Sequence, residues 1–321
     1  MKLCVIGGAG ARSAFLTKSL VKSTRDIRVD HIVLLDNDQQ KLKTYGEISR
    51  ELSRRLDPDL TFEVTSDARA ALTGVDYIIT TIRAGGDAGR LFDEQTCLAH
   101  GVLGQETTGA GGFAMAIRSV PTLVYYCTLA REVANPGHLI FNFTNPSGII
   151  TQALRSKGFD NVYGICDAPS GFIKQLEEIL EIPYGTLDIE CYGLNHLSWF
   201  RNAKVNGRDV QRELLDNPRI YENSEMRLFT REMARISGDC MLNEYLYFYY
   251  RRVKSLSMIQ KADHPRGEMI YLINRELEEQ LARLELPRDF EQAIIQFRGL
   301  IDSEIPRTVP YHFKKHLNRH N

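Results

Sequence analysis

The sequence predicts an α/β fold, a doubly wound parallel sheet followed by a second, α+β and mainly helical domain. Three observations predict it. Short apolar runs bounded by glycines recur through the first half, and such runs suit strands buried on both faces. Amphipathic helical stretches alternate with them, which implies parallel strands joined by crossover helices. Past Leu187 the pattern changes to strands around an Asn-Gly turn, then to helices.

Residues 2–6 read as the first strand and 13–22 as the helix after it. Strands follow at 31–36, 61–65, 75–81, 139–144 and 161–166, with helices over 39–56 and 114–133. Residues 171–182 carry Phe172, Ile173, Leu176, Ile179 and Leu180 on one helical face. Segments 188–192 and 198–205 read as antiparallel strands, with Asn206-Gly207 as a hairpin turn. Ile270, Ile273, Leu277, Leu281 and Leu284 form an apolar helical stripe. The expected division is a dinucleotide-binding domain over 1–190 and a substrate and metal domain over 191–321.

A chain of 321 residues can bury a substantial core. Forty basic against 41 acidic side chains leave a net charge of −1, which argues against a nucleic-acid or anionic-membrane partner. No apolar run approaches the ~20 residues of a membrane span. The opening MKLCVIGG reads as a strand rather than a leader, so a cytoplasmic location is expected. The cysteines are scattered with no CxxC pair, the pattern of buried thiols with one or two recruited for chemistry.

Gly7-Gly8-Ala9-Gly10 joins the first strand to the first helix, where glycines let the backbone approach a pyrophosphate at the helix N-terminus. Gly8 and Gly10 stand in the Rossmann positions, and Ala11 continues the turn. Ser13 replaces the third glycine. Such turns also occur in sheets that bind nothing. Asp36 ends the second strand, where an acid can accept from ribose hydroxyls and so favours NAD over NADP; the lesser alternative is an acid that caps a strand end.

Arg83 follows the fourth strand at a carboxyl edge, where open sheets place ligands. Segment 104–112, GQETTGAGG, sets polar side chains such as Glu106 among glycines, too flexible and polar for a core. Asn145 closes the fifth strand, either to meet hydroxyls or simply as a turn-forming Asn-Pro. Cys166 and His196 are good ligands for a divalent transition metal, although a buried thiol and an unrelated histidine are commoner. Tyr245 and Tyr249 share a helical face, which without a metal nearby is core.

Taken together, GGAG, ITTIRAGG, GVLGQETTGAGG, FNFTNPSGIIT, GICDAPSG, YGLNHLSWF and NEYLYFYY resemble glycoside hydrolase family 4, over roughly 1–250. This family is one exception to two-carboxylate hydrolysis that the general scheme recognises. The wording is most similar to its 6-phospho-β-glucosidase branch. The resemblance implies NAD and a divalent metal, usually Mn²⁺, held by Cys166 and His196. It implies hydride removal from C3, C2 proton abstraction by Tyr245, elimination, water addition and return of the hydride. Arg83, Asn145 and Asn195 would orient the sugar, and the loop of Glu106 would close over it. Asp167 stands where the β branch has Asn; the α branch carries Asp there as an acid, which leaves the anomer open. A homo-oligomer, dimer or tetramer, is expected, and no match to the family's C-terminal part is found after Tyr250. The competing readings are an NAD-dependent 2-hydroxy-acid dehydrogenase on a lactate/malate-dehydrogenase-like fold, and a shortened inactive paralogue that binds NAD and sugar.

Overall fold

The computed structural model describes residues 1–304. The chain divides into one compact unit made of 1–165 with 262 onward, and another of 166–261.

The first unit holds a parallel six-stranded sheet: β1 (Lys2–Ile6), β2 (His31–Leu35), β3 (Thr61–Thr65), β4 (Tyr77–Thr80), β5 (Leu139–Asn142) and β6 (Val162–Gly164). Its order, β3-β2-β1-β4-β5-β6, is the doubly wound arrangement with the strand order reversing at β1 and β4. Both faces are covered. Cys4, Ile6, Val33, Leu35 and Ile78 pack on one side with Leu123, Cys127 and Ala130. Leu3, Val5, Ile32 and Leu34 pack on the other with Leu20 and Val21 of helix Ser13–Ile27. Alternate side chains pointing to opposite apolar layers explain why these strands are apolar throughout.

The domain boundary expected at 190/191 differs from this division. Helix Arg266–Leu281 belongs to the first unit, where Leu277 and Leu281, with Phe290, Ala293 and Phe297, pack on Ala9, Ala14, Leu42, Tyr45 and Ile48. An apolar stripe reveals a buried face but not the partner that buries it.

One helical expectation is corrected, and one helix is additional to those expected. Helix Gly86–Ala99 was not anticipated, and the helix expected from 114 is Gly109–Val133, which starts inside the glycine segment. At 25 residues the latter is long and apolar enough to cross a membrane, contrary to the sequence reading. Its buried Leu123, Cys127 and Ala130 lie in the sheet's apolar layer, the position of a core helix.

In the second unit, β7 (Leu187–Leu194) pairs antiparallel with β8 (Leu197–Val205). β9 (Arg208–Asp209) and β10 (Met241–Leu242) each pair with β8. Asn206 (φ 50°) and Gly207 (φ 80°) form the β8–β9 turn, as two left-handed residues in a tight hairpin should. Phe172 from helix Ala168–Leu180 meets Phe200 of β8 edge-on, with centroids 4.9 Å apart.

Candidate active site

In the first unit, β1 turns into its helix through Gly7–Gly10. Gly7 has φ 81°, and a Cβ there would lie 2.9 Å from the Ile82 nitrogen, so only glycine fits. Sequence reasoning chose Gly8 and Gly10 and missed Gly7, whose only signal was the doubled glycine. The Gly7 and Gly8 amides donate to the Leu35 carbonyl at 2.8 and 3.0 Å, tying the turn to β2. A Cβ on Gly10 would meet nothing within 4 Å, and Ala11 is half-buried. The N-cap residue of helix Ser13–Ile27 is Arg12, whose side chain makes no capping hydrogen bond to the first turn. Asp36 receives the Ala9 amide at 3.2 Å and the Asp38 amide at 3.1 Å. Burial raises its carboxyl pKa against those two bonds. Open space beside a glycine, helical amides and an acid at the end of β2 fit a dinucleotide.

At the carboxyl ends of β4 and β5, buried Asn142 organises the backbone. It accepts from Thr80 Oγ1 at 2.8 Å and donates to Thr151 Oγ1 at 3.1 Å. The Ile82 amide donates to Thr144 Oγ1 at 3.1 Å, so the segments leading to Arg83 and to half-buried Asn145 are joined.

Arg83 pairs with Asp87 at 3.1 Å and with Glu106 at 2.5 Å. The second Glu106 oxygen meets Arg90 at 3.1 Å, and Arg90 also bonds Glu94 at 2.8 Å. Glu94 in turn accepts the Gly267 amide at 2.7 Å, at the start of helix Arg266–Leu281. Burial raises the Glu106 pKa, but Arg90 and Arg83 outweigh it and hold the carboxyl at about 2. Arg90 and Glu94 were missed, because an arginine and a glutamate on a helix look solvated in sequence.

The glycine segment is built rather than loose. Gln105 Oε1 accepts the Thr107 and Thr108 amides at 2.7 and 2.9 Å. A Cβ on Gly104 would lie 2.4 Å from the Glu94 carbonyl oxygen, and one on Gly112 2.6 Å from the Thr107 carbonyl carbon. These glycines permit backbone to pack on backbone, which corrects the flexible reading of 104–112.

In the second unit, Asn195 and His196 form the two-residue turn between β7 and β8, where Leu194 pairs with Leu197. His196 takes φ 59°, and Gly193 has φ 115° with its Cβ direction closed 2.3 Å from the Leu197 carbonyl oxygen. The tight turn aims the imidazole inward, and His196 is buried. Its Nε2 lies 3.6 Å from Cys166 Sγ. Burial raises the thiol pKa, while hydrogen bonds from the Ala168 amide and the Asn195 side chain lower it and the charges of Asp167 and Glu225 raise it further. The Tyr245 ring stacks on His196 with centroids 3.8 Å apart and planes 8° from parallel. Tyr245 precedes helix Leu246–Tyr250, whereas Tyr249 is 48% exposed. Asp167 is exposed at the start of helix Ala168–Leu180.

Bonds of ~2.3 Å to sulfur and ~2.0 Å to nitrogen, opened at a tetrahedral angle, put two such donors about 3.5 Å apart. The Cys166–His196 pair therefore fits one transition metal. Among the described residues no third His, Cys, Asp or Glu joins them, which leaves positions for oxygens of a small molecule.

The comparisons agree with this chemistry. A model of family 4 glycosyl hydrolases matches residues 2–182, and one of the family's C-terminal domain matches 191–309. The second match overturns the expectation that no such part follows Tyr250. The chain is 30% identical to the 6-phospho-beta-glucosidase of Thermotoga maritima over 90% of this chain and 69% of that one. That enzyme's structure with manganese, NAD⁺ and glucose-6-phosphate superposes with a TM-score of 0.79 at 30% identity, covering 92% of this chain and 72% of the other. A 6-phospho-alpha-glucosidase from gut microorganisms, in complex with NAD and Mn²⁺, superposes with a TM-score of 0.79 at 25% identity, covering 92% and 69%. Malate dehydrogenase from Salinibacter ruber, with a TM-score of 0.50, 17% identity and coverage of 82% and 77%, shares the fold. The chain belongs to glycosyl hydrolase family 4.

Proposed function

We propose that this chain hydrolyses 6-phospho-β-glucosides by oxidation at C3, elimination across C1–C2, water addition and re-reduction, with NAD and a divalent cation, Mn²⁺ foremost. The observation that carries the reading is the Cys166 thiol 3.6 Å from His196 Nε2, with Tyr245 stacked on that imidazole. The Thermotoga relative's name and its bound manganese, NAD⁺ and glucose-6-phosphate support it. When bound, the dinucleotide supplies a reversible hydride acceptor, and the cation supplies Lewis acidity toward sugar oxygens.

Each side chain then has a task. Gly8, Gly10 and Ala11 leave room for the pyrophosphate, and Asp36 accepts from the ribose. Cys166, as thiolate, and His196, as neutral imidazole, hold the cation. Tyr245 takes the C2 proton that a C3 ketone acidifies, and Asp167 gives a proton to the departing aglycone oxygen. Asn195, by its bond to the thiol, orients a ligand as well as the sugar. Arg83, Asn145 and the Glu106 loop position the sugar hydroxyls. The same reading makes the enzyme a cytoplasmic homo-oligomer, dimer or tetramer.

The test is a panel of α- and β-nitrophenyl glucosides, with and without the 6-phosphate, assayed with and without NAD⁺ and Mn²⁺. Cleavage of the 6-phospho-β-glucoside that needs both additions and leaves no net NADH is expected. Stoichiometric NADH without a metal requirement would mark a dehydrogenase, and no cleavage anywhere on the panel would end the proposal. His196→Ala should abolish metal-dependent cleavage while NAD⁺ affinity, measured by fluorescence titration, stays within about twofold of the parent.

A further inference from the structure

Glu225 is buried, at 7% exposure, in the second unit. Its Oε2 accepts the Glu244 amide at 2.9 Å and Asn243 Nδ2 at 3.4 Å. Asn243 Oδ1 accepts the Tyr245 amide at 3.1 Å, and the Asn243 amide donates to the Ser198 carbonyl at 3.2 Å. The turn after β10 is thus tied to the strand that leaves the Asn195-His196 hairpin. On its other side, the Glu225 amide donates to Gln175 Oε1 at 3.0 Å, on the helix that follows Cys166.

An acid in this place is expensive. Burial and the nearby Glu244 charge push its carboxyl up to about 8, with the Glu244 amide and Arg227 acting the other way. A buried carboxyl costs stability unless hydrogen bonds offset its desolvation. What an apolar side chain lacks is an acceptor for the Glu244 amide and Asn243 together. Groups kept at a cost to stability collect where geometry must be held for chemistry.

We propose that Glu225 is a positioning residue for Tyr245, holding the Asn243-Glu244 turn so that the phenol-bearing ring lies flat on His196. The proposal rests on the reading above for the role of Tyr245. Glu225 touches neither sugar nor metal in this scheme, and it acts through the turn.

The experiment compares Glu225→Gln, which keeps an acceptor, with Glu225→Leu, which does not. The substrate is a nitrophenyl 6-phospho-β-glucoside, unlabelled or deuterated at C2, with NAD⁺ and Mn²⁺ present. A displaced base should lower kcat of Glu225→Leu by ~30- to 100-fold. KM should stay within about twofold and the C2 isotope effect should rise, while Glu225→Gln stays within about threefold of the parent. Co²⁺ titration, followed by thiolate-to-metal absorption, should be unchanged in both, showing the Cys166–His196 pair intact. Should Glu225→Leu fail to fold by circular dichroism, Asn243→Ser carries the same expectations at the next link. An unchanged kcat in the variant that lacks the acceptor, or a loss shared by kcat, KM and Co²⁺ binding without a change in isotope effect, overturns the proposal. Parent protein without any turnover sinks the functional reading itself, and this one with it.

Discussion

Glu106, half-buried in the first unit, and Glu225, buried in the second, are both carboxyls withdrawn from water, yet their surroundings drive them in opposite directions. Glu106 lies against two guanidinium groups, and its pKa falls to about 2. Glu225 is bonded by amides instead, and its pKa rises to about 8. Burial raises both; at Glu106 two full opposite charges at bonding distance reverse it, whereas at Glu225 the Glu244 amide and Arg227 do not. The direction of each shift thus follows the charges nearby: two guanidinium groups beside Glu106, a second carboxylate beside Glu225.

Removing the cation should break this contrast most severely. Arg90, with a side chain 8% exposed, contacts both Glu94 and Glu106. Arg90→Met would leave buried Glu94 and half-buried Glu106 short of a partner, at ~3–5 kcal/mol of unfolding free energy in a denaturant titration. Retained stability would mean that Arg83 and the Gly267 amide suffice alone.

The pH dependence sharpens the contrast next. The folded pKa of Glu106 lies below the unfolded value of ~4.3. Its stabilisation is therefore present above that value and lost as pH falls toward about 2. For Glu225 the folded value is the higher one, so stability is fullest below ~4.3 and drains away as pH rises toward about 8. Unfolding of metal-free Glu225→Gln should accordingly show a flatter dependence on pH between 5 and 8 than the parent. Parallel curves would place the titration elsewhere.

The smallest effect is expected on the surface. Glu51 is also held at about 2, by Arg54 and Arg55. Arg54 is 65% exposed, and water screens such a pair. Arg54→Ala should leave the melting temperature unchanged, which would separate a lowered pKa from a stabilising contact.

Much of the site was legible because it consists of short segments whose chemistry is unusual where they stand. Cys166-Asp167, Asn195-His196 and the GGAG turn each end a strand, and the structure puts each in a tight turn or at a helix start. Gly7, Arg90, Asn142 and Glu225 were not singled out. Their importance lies in contacts distant in sequence, such as Glu94 with Gly267 or Asn243 with Ser198.

By itself the sequence determined the parallel sheet, because two-sided apolar strands and helical spacing are local patterns that solvent exclusion reads directly. It also determined the candidate chemistry, since thiol, imidazole and phenol are properties of single residues. Only the tertiary structure decided that helix Arg266–Leu281 returns to the first unit, and that the Glu106 pKa falls while that of Glu225 rises. Those outcomes depend on which groups arrive beside a buried face or acid, and one-dimensional order carries no distance between them.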